Sequence, residues 1–514
     1  MRTFSTYGRR SVFGLAFALT FVISSGILLM LYHFNTTIKY PTHDWQSSTP
    51  EEQGFDSAKL ADGLAAIQKN GTHIHSLMIV RHGSVIVNAN FYPYDGSLYH
   101  DTASVTKSVM TTLIGIAADQ GQLDLNQPIV SFFPEQAIAN LDTRKEQITV
   151  RHLVSMSSGL DCTAEGGERT LEEMKSSPDM VQFVLDRKVI YEPGTHFEYC
   201  SPGMHLLSAI LQQATGMTAL EYAKIHLFEP LGIHDIYWPA DSQGYTHGWG
   251  DLALYPQDMA RLGYLILQEG RWEGKQIVPR KWVREATRKQ METGESEDYG
   301  YGWWVSRPDA EFEYYLASGR GGQRIQVIPS LDLVLVTTGG GYEFSEIEEY
   351  LKAAIGDLEK PLHPNPAGYE HLKTVVSGLV LPPPAHSVLP LPGIAESITG
   401  QTFQLETNPT EARSIQLNFG TSAEATLLMD VVNETEPRLI RVGLDGVYRI
   451  TEGRKLAMAR GEWIDDETFM IDYAEGLGLD AYTLKMHFNG DRVLIEVNDL
   501  SHGVNLNISG QTGK

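Results

Sequence analysis

The chain has 514 residues, and 42% of them are hydrophobic, so it can form two or three domains with sizeable cores. Its net charge of −24 at pH 7 argues against nucleic acid as a partner, because such binding depends on Lys and Arg that neutralise phosphates. The two cysteines, Cys162 and Cys200, exclude a disulfide framework and a thiolate metal cluster, and we expect neither a metal nor a cofactor. A single bridge between them stays open if the chain is exported.

The N-terminal segment is predicted to anchor the protein in a membrane. Ser11–Tyr32 contains no charged residue, and as a helix it would extend about 33 Å, enough to cross a bilayer. Three arginines precede it, and the positive-inside tendency then leaves residues 1–10 in the cytoplasm and sends the remainder to the periplasmic or extracellular side. The alternative is a cleaved signal peptide, which would make the protein secreted, although no Ala-x-Ala-like site follows the segment.

A polar stretch with two prolines, residues 33–50, is predicted to be a tether, and residues 51–360 are predicted to form the main domain. In that domain, segments with helical periodicity alternate with segments typical of strands. The predicted elements, in chain order, are a helix over 56–69, strands over 76–81 and 84–87 joined by His82-Gly83, a helix over 104–119, and strands over 324–329 and 331–338. Because strands lie at both ends of the domain with helices between them, we expect an α+β fold.

The remainder of the chain has a different composition. Residues 361–395 are rich in proline and are predicted to be a linker. In residues 396–514, hydrophobic and polar side chains alternate on both sides of Asn489-Gly490, which is a strong hairpin signal. We therefore predict a C-terminal antiparallel β domain, either a barrel or a sandwich, with no catalytic constellation of its own.

One short motif offers a nucleophile. Ser104 and Lys107 are three residues apart at the predicted start of a helix, where one helical turn places their side chains on the same face. The lysine amine then lies beside the serine hydroxyl and can take its proton, as covalent acyl transfer requires. Alone, the pattern is weak, because about two Ser-x-x-Lys matches are expected by chance in a chain of this length.

Several segments around this motif resemble, in order and at similar spacing, the serine β-lactamase and penicillin-recognising family. The similarity is to the branch with class C β-lactamases, D-aminopeptidases, related esterases and 6-aminohexanoate-dimer hydrolases, and most of all to the last of these. It implies an antiparallel sheet flanked by helices, with a further all-helical part. It covers about residues 50–355 and rests on Ser104–Lys107, Ile148–Leu160, Glu192–Ser201, Leu227–Ile233, Asp258–Gly263, Tyr299–Trp304 and Ala317–Gln323.

The resemblance also implies the site residues. It assigns Ser104 as the nucleophile and Lys107 and Tyr199 as the groups that move protons, and it leaves open which of the two is the general base. A lysine acts as a base only in its neutral form, whereas a phenol beside a lysine cation releases its proton more easily. The oxyanion would be held by the Ser104 N–H and by the strand edge at 318–322. The implied substrate-binding residues are Ser201, Ser318, Gly319, Gly322 and Gln323.

Two positions depart from the family pattern. Ser201 stands where many relatives have asparagine, whose amide both donates to and accepts from a substrate amide. Ala317 stands where a basic residue usually precedes the third motif and meets a substrate carboxylate. Either Arg320 or Arg324 replaces that cation, or the substrate has no carboxylate there. Both departures point away from β-lactam and peptidoglycan substrates.

The sequence therefore predicts a membrane-anchored extracytoplasmic serine hydrolase that cleaves a small amide or ester through an acyl-enzyme on Ser104. Two alternatives stay open. One is a penicillin-binding DD-peptidase or β-lactamase, and the other is a non-catalytic binding or regulatory protein that retains the fold. The natural substrate, the oligomeric state and the role of residues 396–514 are not predicted.

Overall fold

The computed structural model describes residues 40–162, 169–420, 423–432, 434–452, 456–475 and 477–513. The predicted cytoplasmic segment 1–10, the predicted membrane helix 11–32 and the first part of the tether lie outside these residues. Among the residues described, no helix has the length and hydropathy needed to cross a membrane. From Pro41 onward the chain belongs to one unit, which includes both predicted domains.

The first domain is organised around a largely antiparallel sheet. In the described residues, eight strands form it in the order β1-β3-β2-β12-β11-β10-β9-β8, while β4–β5 and β6–β7 pair separately. Their bounds are β1 Gln46–Ser47, β2 Ile74–Arg81, β3 Ser84–Asn90, β4 His100–Asp101, β5 Ala253–Leu254, β6 Arg271–Trp272, β7 Lys275–Gln276, β8 Asp298–Tyr299, β9 Trp304–Val305, β10 Tyr315–Gly319, β11 Gln323–Ile328 and β12 Leu333–Gly339. The predicted β2–β3 hairpin is confirmed, because His82 and Gly83 adopt the positive φ angles, 50° and 70°, that its tight turn requires.

Helices cover both faces of this sheet, whereas the last described helix, Gly393–Ile398, packs on the C-terminal domain. Their bounds are α1 Ser57–Lys69, α2 Val105–Asp119, α3 Thr143–Gln147, α4 Val150–Val154, α5 Arg169–Lys175, α6 Met180–Leu185, α7 Ser201–Thr215, α8 Ala219–Ala223, α9 Pro256–Leu267, α10 Arg280–Ala286, α11 Ser345–Ala354, α12 Pro366–Leu379 and α13 Gly393–Ile398. On one face, α1, α11 and α12 pack around Leu64, Leu335 and Leu372. On the other face, Gly263 brings α9 against Ile325 and Val334.

The sheet determines where the nucleophile motif lies. Strand β2 pairs with β12, so the beginning and the end of the domain close on each other. The segment between them includes α2, which contacts β10 and β11, and the helical part, in which α7 packs against α2, α4 and α6. The start of α2 therefore faces the end of β10, and this confirms the predicted α+β arrangement of a sheet with a helical part.

Residues 41–50, which composition predicts as part of a tether, lie instead on the first domain. The buried guanidinium of Arg261 donates hydrogen bonds to Pro41 O at 2.8 Å and to His43 O at 3.0 Å. Strand β1 extends the sheet by pairing in parallel with β3. Polar composition alone misled the prediction, because it does not show that the carbonyl groups of this segment and the Trp45 indole N–H find partners more than 200 residues further along the chain.

The proline-rich linker predicted over 361–395 also contains regular structure. Its prolines lie towards both ends of the stretch and leave room for α12, which begins at Pro366. The Asn365 side chain caps this helix by accepting a hydrogen bond from Gly368 N at 3.0 Å, and a proline in the first turn costs no helical hydrogen bond. Leu372 and Leu379 are buried against the domain, so this half of the stretch is part of the fold.

The C-terminal domain is a closed β-barrel of antiparallel strands. Its strands are β13 Thr402–Leu405, β14 Ala412–Phe419, β15 Glu424–Val431, β16 Arg438–Gly443, β17 Arg449–Thr451, β18 Ala457–Trp463, β19 Thr468–Glu475, β20 Asp480–Asn489, β21 Arg492–Asp499 and β22 Val504–Thr512. A parallel pairing of β16 with β18, at Gly443 and Arg460, closes the sheet. Alternate side chains, including Phe403, Leu427, Ile471 and Phe488, fill the interior, and the predicted Asn489-Gly490 hairpin joins β20 to β21. The structure thus selects the barrel over the sandwich.

Candidate active site

Ser104 and Lys107 meet at the start of α2. Lys107 Nζ donates a hydrogen bond to Ser104 Oγ at 2.7 Å and another to Trp249 O at 2.8 Å. The lysine is only 1% exposed, whereas Ser104 lines a cavity and is partly exposed. The structure therefore places a shielded amine beside a hydroxyl that a substrate can reach.

The backbone before Ser104 has an unusual conformation. Ala103 has a φ of 47°, which is uncommon for a residue with a Cβ, and its N–H donates to Asp101 Oδ1 at 2.7 Å. Strand β10 approaches this turn so closely that a Cβ on Gly319 would lie 2.5 Å from Thr102 O. Only glycine fits at that position, and it brings the strand edge next to the nucleophile.

Tyr199 lies beside the serine–lysine pair. Lys107 Nζ is 4.9 Å from the centroid of its ring. The ring stacks on Trp304 at a centroid distance of 5.9 Å and meets Tyr299 edge-on at 6.4 Å. The three residues predicted to carry the chemistry are thus brought to one place, with an aromatic wall around the phenol.

The cavity in front of Ser104 has a volume of about 660 Å³. Strand β10 and the turn after it supply one wall, and Trp249 and Tyr199 supply others. Sequence reasoning missed several lining residues, which come from α5, from two loops and from the barrel: Leu171, Glu172, Lys175, Glu295–Glu297, Tyr342–Phe344, Leu479 and His502. They belong to no motif and are distant in sequence, so only the tertiary structure assigns them to the site.

The barrel holds the turn that follows β10. Arg320 Nη1 donates to Asp480 Oδ1 at 3.1 Å and to Ser501 Oγ at 2.6 Å, both on the barrel. Asp101 N, three residues before the nucleophile, donates to Leu477 O at 3.2 Å. The C-terminal domain therefore contacts the site on two sides, which sequence analysis did not foresee.

The predicted substrate-binding residues have different positions in the structure. Ser318, Gly319, Gly322 and Gln323 line the cavity. The amide of Gln323, however, is fully buried and hydrogen bonds with the backbone of Gly339, donating to its carbonyl at 2.6 Å, so it fixes the loop. Ser201 is 1% exposed in the first turn of α7 and is absent from the described cavity lining, because that turn faces the interior.

A disulfide joins Cys162 to Cys200, so the pairing that the sequence left open is formed. Cys200 directly follows Tyr199 and precedes α7. The bridge links residues separated by 38 positions and therefore fixes the segment that carries the phenol.

Reduction of this disulfide is expected to lower the free energy of unfolding by about 4 kcal/mol, because it releases a loop of that length in the unfolded chain. Urea unfolding with and without dithiothreitol, with free thiols counted in each sample, measures the change. The Cys162→Ser/Cys200→Ser variant serves as the control and should match the reduced protein. An unchanged midpoint after complete reduction would contradict this role.

The acidic group nearest the nucleophile turn has a strongly altered pKa. Burial, together with the negative charge of Asp251, raises the pKa of Asp101 from 3.8 to about 7. Between these values the unfolded chain releases a proton that the folded chain retains. The unfolded state then binds fewer protons, so the contribution of Asp101 to stability falls as pH rises through this window.

Replacing Asp101 with asparagine is expected to remove this pH-dependent loss of stability, because asparagine stays neutral and its Oδ1 still accepts from Ala103 N. Relative to the unmodified protein, the variant should gain on the order of 1–3 kcal/mol in unfolding free energy between about pH 4.5 and about pH 8. Urea unfolding at several pH values measures the difference, and Asp466→Asn, at an exposed acidic residue between β18 and β19, provides the control. A difference in unfolding free energy that is the same at all pH values would contradict a raised pKa for Asp101.

Comparisons with known proteins found similar hydrolases. Over 317 residues, the chain is 25% identical to a 6-aminohexanoate-dimer hydrolase from Paenarthrobacter ureafaciens, and the match covers 56% of this chain and 79% of the relative. It is 25% identical over 213 residues to the esterase EstB from Burkholderia gladioli, covering 37% of this chain and 54% of the relative. A Bacillus anthracis structure assigned as a 6-aminohexanoate-dimer hydrolase shares the fold with a TM-score of 0.50 at 18% identity, covering 66% and 87% of the two chains.

The family model described as Beta-lactamase matches residues 64–353, which is more than half of the chain. This range contains Ser104, Lys107, Tyr199 and the edge of β10, and it ends before the barrel. Relatives with the names hydrolase, esterase and beta-lactamase identify the group as one of serine hydrolases. The chain therefore belongs to the beta-lactamase family of serine hydrolases, with a C-terminal β-barrel added to the family domain.

Proposed function

We propose that this protein hydrolyses an amide or ester of a small molecule through a covalent acyl-enzyme on Ser104. The observation that carries the proposal is the 2.7 Å hydrogen bond between Lys107 Nζ and Ser104 Oγ at the cavity. An activated serine requires a proton acceptor at this distance. The similarity to a 6-aminohexanoate-dimer hydrolase and to an esterase supports an amide or ester as the bond cleaved.

In the acylation step, Ser104 Oγ forms a bond to the substrate carbonyl carbon while its proton passes to Lys107 or Tyr199. The oxyanion that forms is stabilised by the Ser104 N–H, for which the described residues offer no acceptor, and by the edge of β10 at Gly319. Collapse breaks the C–N or C–O bond, and the leaving group takes the proton. Water then attacks the acyl carbon, its proton returns by the same groups, and the acid leaves with Ser104 restored.

Covalent labelling of the full chain tests this proposal. A fluorophosphonate probe is expected to form one adduct, on the peptide that contains Ser104, and a small ester in excess should slow the labelling. Mass spectrometry of the digested protein locates the adduct. Absence of any labelling would support the non-catalytic alternative, and labelling at another residue would assign a different nucleophile. Rapid labelling by a fluorescent penicillin would support the DD-peptidase or β-lactamase alternative.

We also propose that the protein acts outside the cytoplasm, held by the uncharged segment 11–32. The disulfide supports this location, because such bonds persist in oxidising compartments. In fractionated cells the full chain should sediment with membranes and be released by detergent but not by high salt. Recovery in the soluble fraction would contradict the anchor, and a chain that begins after residue 32 would indicate cleavage.

The barrel is expected to limit the size of the substrate, because Leu479 lies against the turn after β10. A Cβ on Gly321 would be 3.1 Å from Leu479 Cδ1. Replacing Leu479 with alanine lengthens the cavity, so kcat/KM for a long acyl ester should rise relative to a short one by about three- to tenfold. A chain-length series of 4-nitrophenyl esters measures the ratio, with Leu494→Ala, on the exposed barrel surface, as the control. An unchanged ratio would contradict a role for this wall.

A further inference from the structure

One cation that lines the cavity has no carboxylate partner in the described part of the chain. Three Lys or Arg side chains line the cavity. Lys175 pairs with Glu172 at 2.9 Å, and Arg320 pairs with Asp480 at 3.1 Å. By contrast, no carboxylate oxygen of a described residue lies within 4.0 Å of the Arg324 guanidinium.

Arg324 lies on the strand next to the third motif. It is directly opposite Ser318 in the β10–β11 register, and opposed residues of antiparallel strands project from the same face of the sheet. Both side chains line the same cavity as Ser104. A substrate bound at Ser104 that crosses β10 would therefore meet Arg324 one strand spacing, about 4.8 Å, further on.

The guanidinium of Arg324 is held in place by neutral groups. Its central carbon is 3.9 Å from the centroid of the Phe344 ring, and Nη1 donates to Gln326 Oε1 at 2.9 Å. The two carboxylates that influence it from a distance are engaged elsewhere: Glu297 accepts from the Tyr314 hydroxyl at 2.8 Å, and Glu348 pairs with Lys352 at 3.0 Å. The cation is thus oriented without being neutralised.

Burial lowers the pKa of the Arg324 guanidinium, which nevertheless remains charged at neutral pH. A charge removed from water is costly unless an opposite charge compensates it. A carboxylate is the best match, because the planar guanidinium offers parallel N–H groups to both of its oxygens.

We infer that Arg324 binds a carboxylate of the substrate, which makes the substrate an ester or amide with a free carboxylate a few atoms from the bond cleaved. This inference rests on the proposed hydrolysis at Ser104 and names the substrate class more closely. The sequence offered two arginines as substitutes for a cation at Ala317. Arg320 donates its hydrogen bonds to Asp480 and Ser501 of the barrel, whereas Arg324 faces the cavity.

Two pairs of chromogenic substrates test the inference. In each pair, one member carries a carboxylate and the other a carboxamide of the same shape; the group is on the acyl side in one pair and on the leaving-group side in the other. The full chain is expected to prefer the carboxylate by about 10- to 100-fold in kcat/KM in one pair, which also reveals the side that Arg324 contacts.

Variants distinguish substrate recognition from a structural effect. Arg324→Gln should abolish the preference by lowering the rate for the carboxylate substrate to that for the carboxamide. Arg324→Lys should retain part of the preference, because lysine keeps the positive charge but lacks the parallel N–H groups of the guanidinium. Lys175→Gln, which removes a paired cation from the same cavity, should retain the full preference. Equal losses for both members of a pair in Arg324→Gln would show a structural role and overturn the inference.

Failure of the inference and failure of the proposed function give different results. If carboxamides acylate Ser104 but neither pair shows a carboxylate preference, the hydrolase proposal stands and the role of Arg324 is refuted. If no member of either pair acylates Ser104, as judged by mass spectrometry, both are refuted.

Discussion

Replacement of Ser104 with alanine is expected to lower kcat/KM for ester hydrolysis by at least about 1,000-fold, because it removes the cavity-lining hydroxyl to which Lys107 Nζ donates. The variant should also lose the covalent adduct formed with a fluorophosphonate. The change removes one partly exposed oxygen, so the thermal midpoint should stay within a few degrees of that of the unmodified protein. Steady-state kinetics, intact-mass spectrometry and thermal unfolding measure the three effects.

Ser296→Ala is the matched control for this experiment. Ser296 also lines the cavity, but it belongs to a different loop, and its hydroxyl donates to Glu297. Its variant should retain activity within about threefold and should still form the adduct. If Ser104→Ala kept most of its activity, the nucleophile would be a different group and the acyl-enzyme mechanism would be wrong.

Replacement of Lys107 with methionine is expected to lower kcat/KM by about 100- to 10,000-fold, the range typical for loss of a positioned acid–base group. Methionine has a similar length and no charge, so it fills the buried space without leaving an unpaired cation. The stability of the variant should therefore equal or exceed that of the unmodified protein, because a lysine that is 1% exposed pays a desolvation cost.

The rate of acylation as a function of pH identifies the role of the amine. If Lys107 moves the proton of Ser104, the limb of the pH profile that reports its deprotonation should disappear in Lys107→Met. Lys175→Met, which removes an exposed cavity cation paired with Glu172, should keep that limb. Activity of Lys107→Met within about threefold of the unmodified protein would shift the role of base to Tyr199.

Local signals in the sequence were sufficient for most of the secondary structure near the site. The Ser-x-x-Lys spacing predicts that two side chains share one helical face, and the structure places Lys107 Nζ and Ser104 Oγ in contact. The His82-Gly83 and Asn489-Gly490 turns have conformations that few residue types accept, so the hairpins around them were predictable. These features depend on residues that are close in the chain.

Composition misled the prediction where a segment finds its partners far away. Residues 41–50 have the composition of a tether, but the Arg261 guanidinium binds carbonyl groups of this segment. The stretch after residue 360 has the composition of a linker, but Leu372 and Leu379 pack on the domain. For Ser201, too, packing decides the position of the side chain. Its place in a motif suggested a substrate contact, but the packing of α7 turns it towards the interior.

What the sequence alone determined is the set of candidate groups: a serine and a lysine one turn apart, a tyrosine in a recognisable motif and glycines at the edge of a strand. These follow from short-range geometry and from residue type. What only the tertiary structure decided is the surroundings of these groups. Contacts between different segments of the chain place the barrel at one wall of the cavity and pair Arg320 with Asp480. They also set Arg324 opposite Ser318. Such contacts are set by the packing of whole domains, which no local pattern encodes.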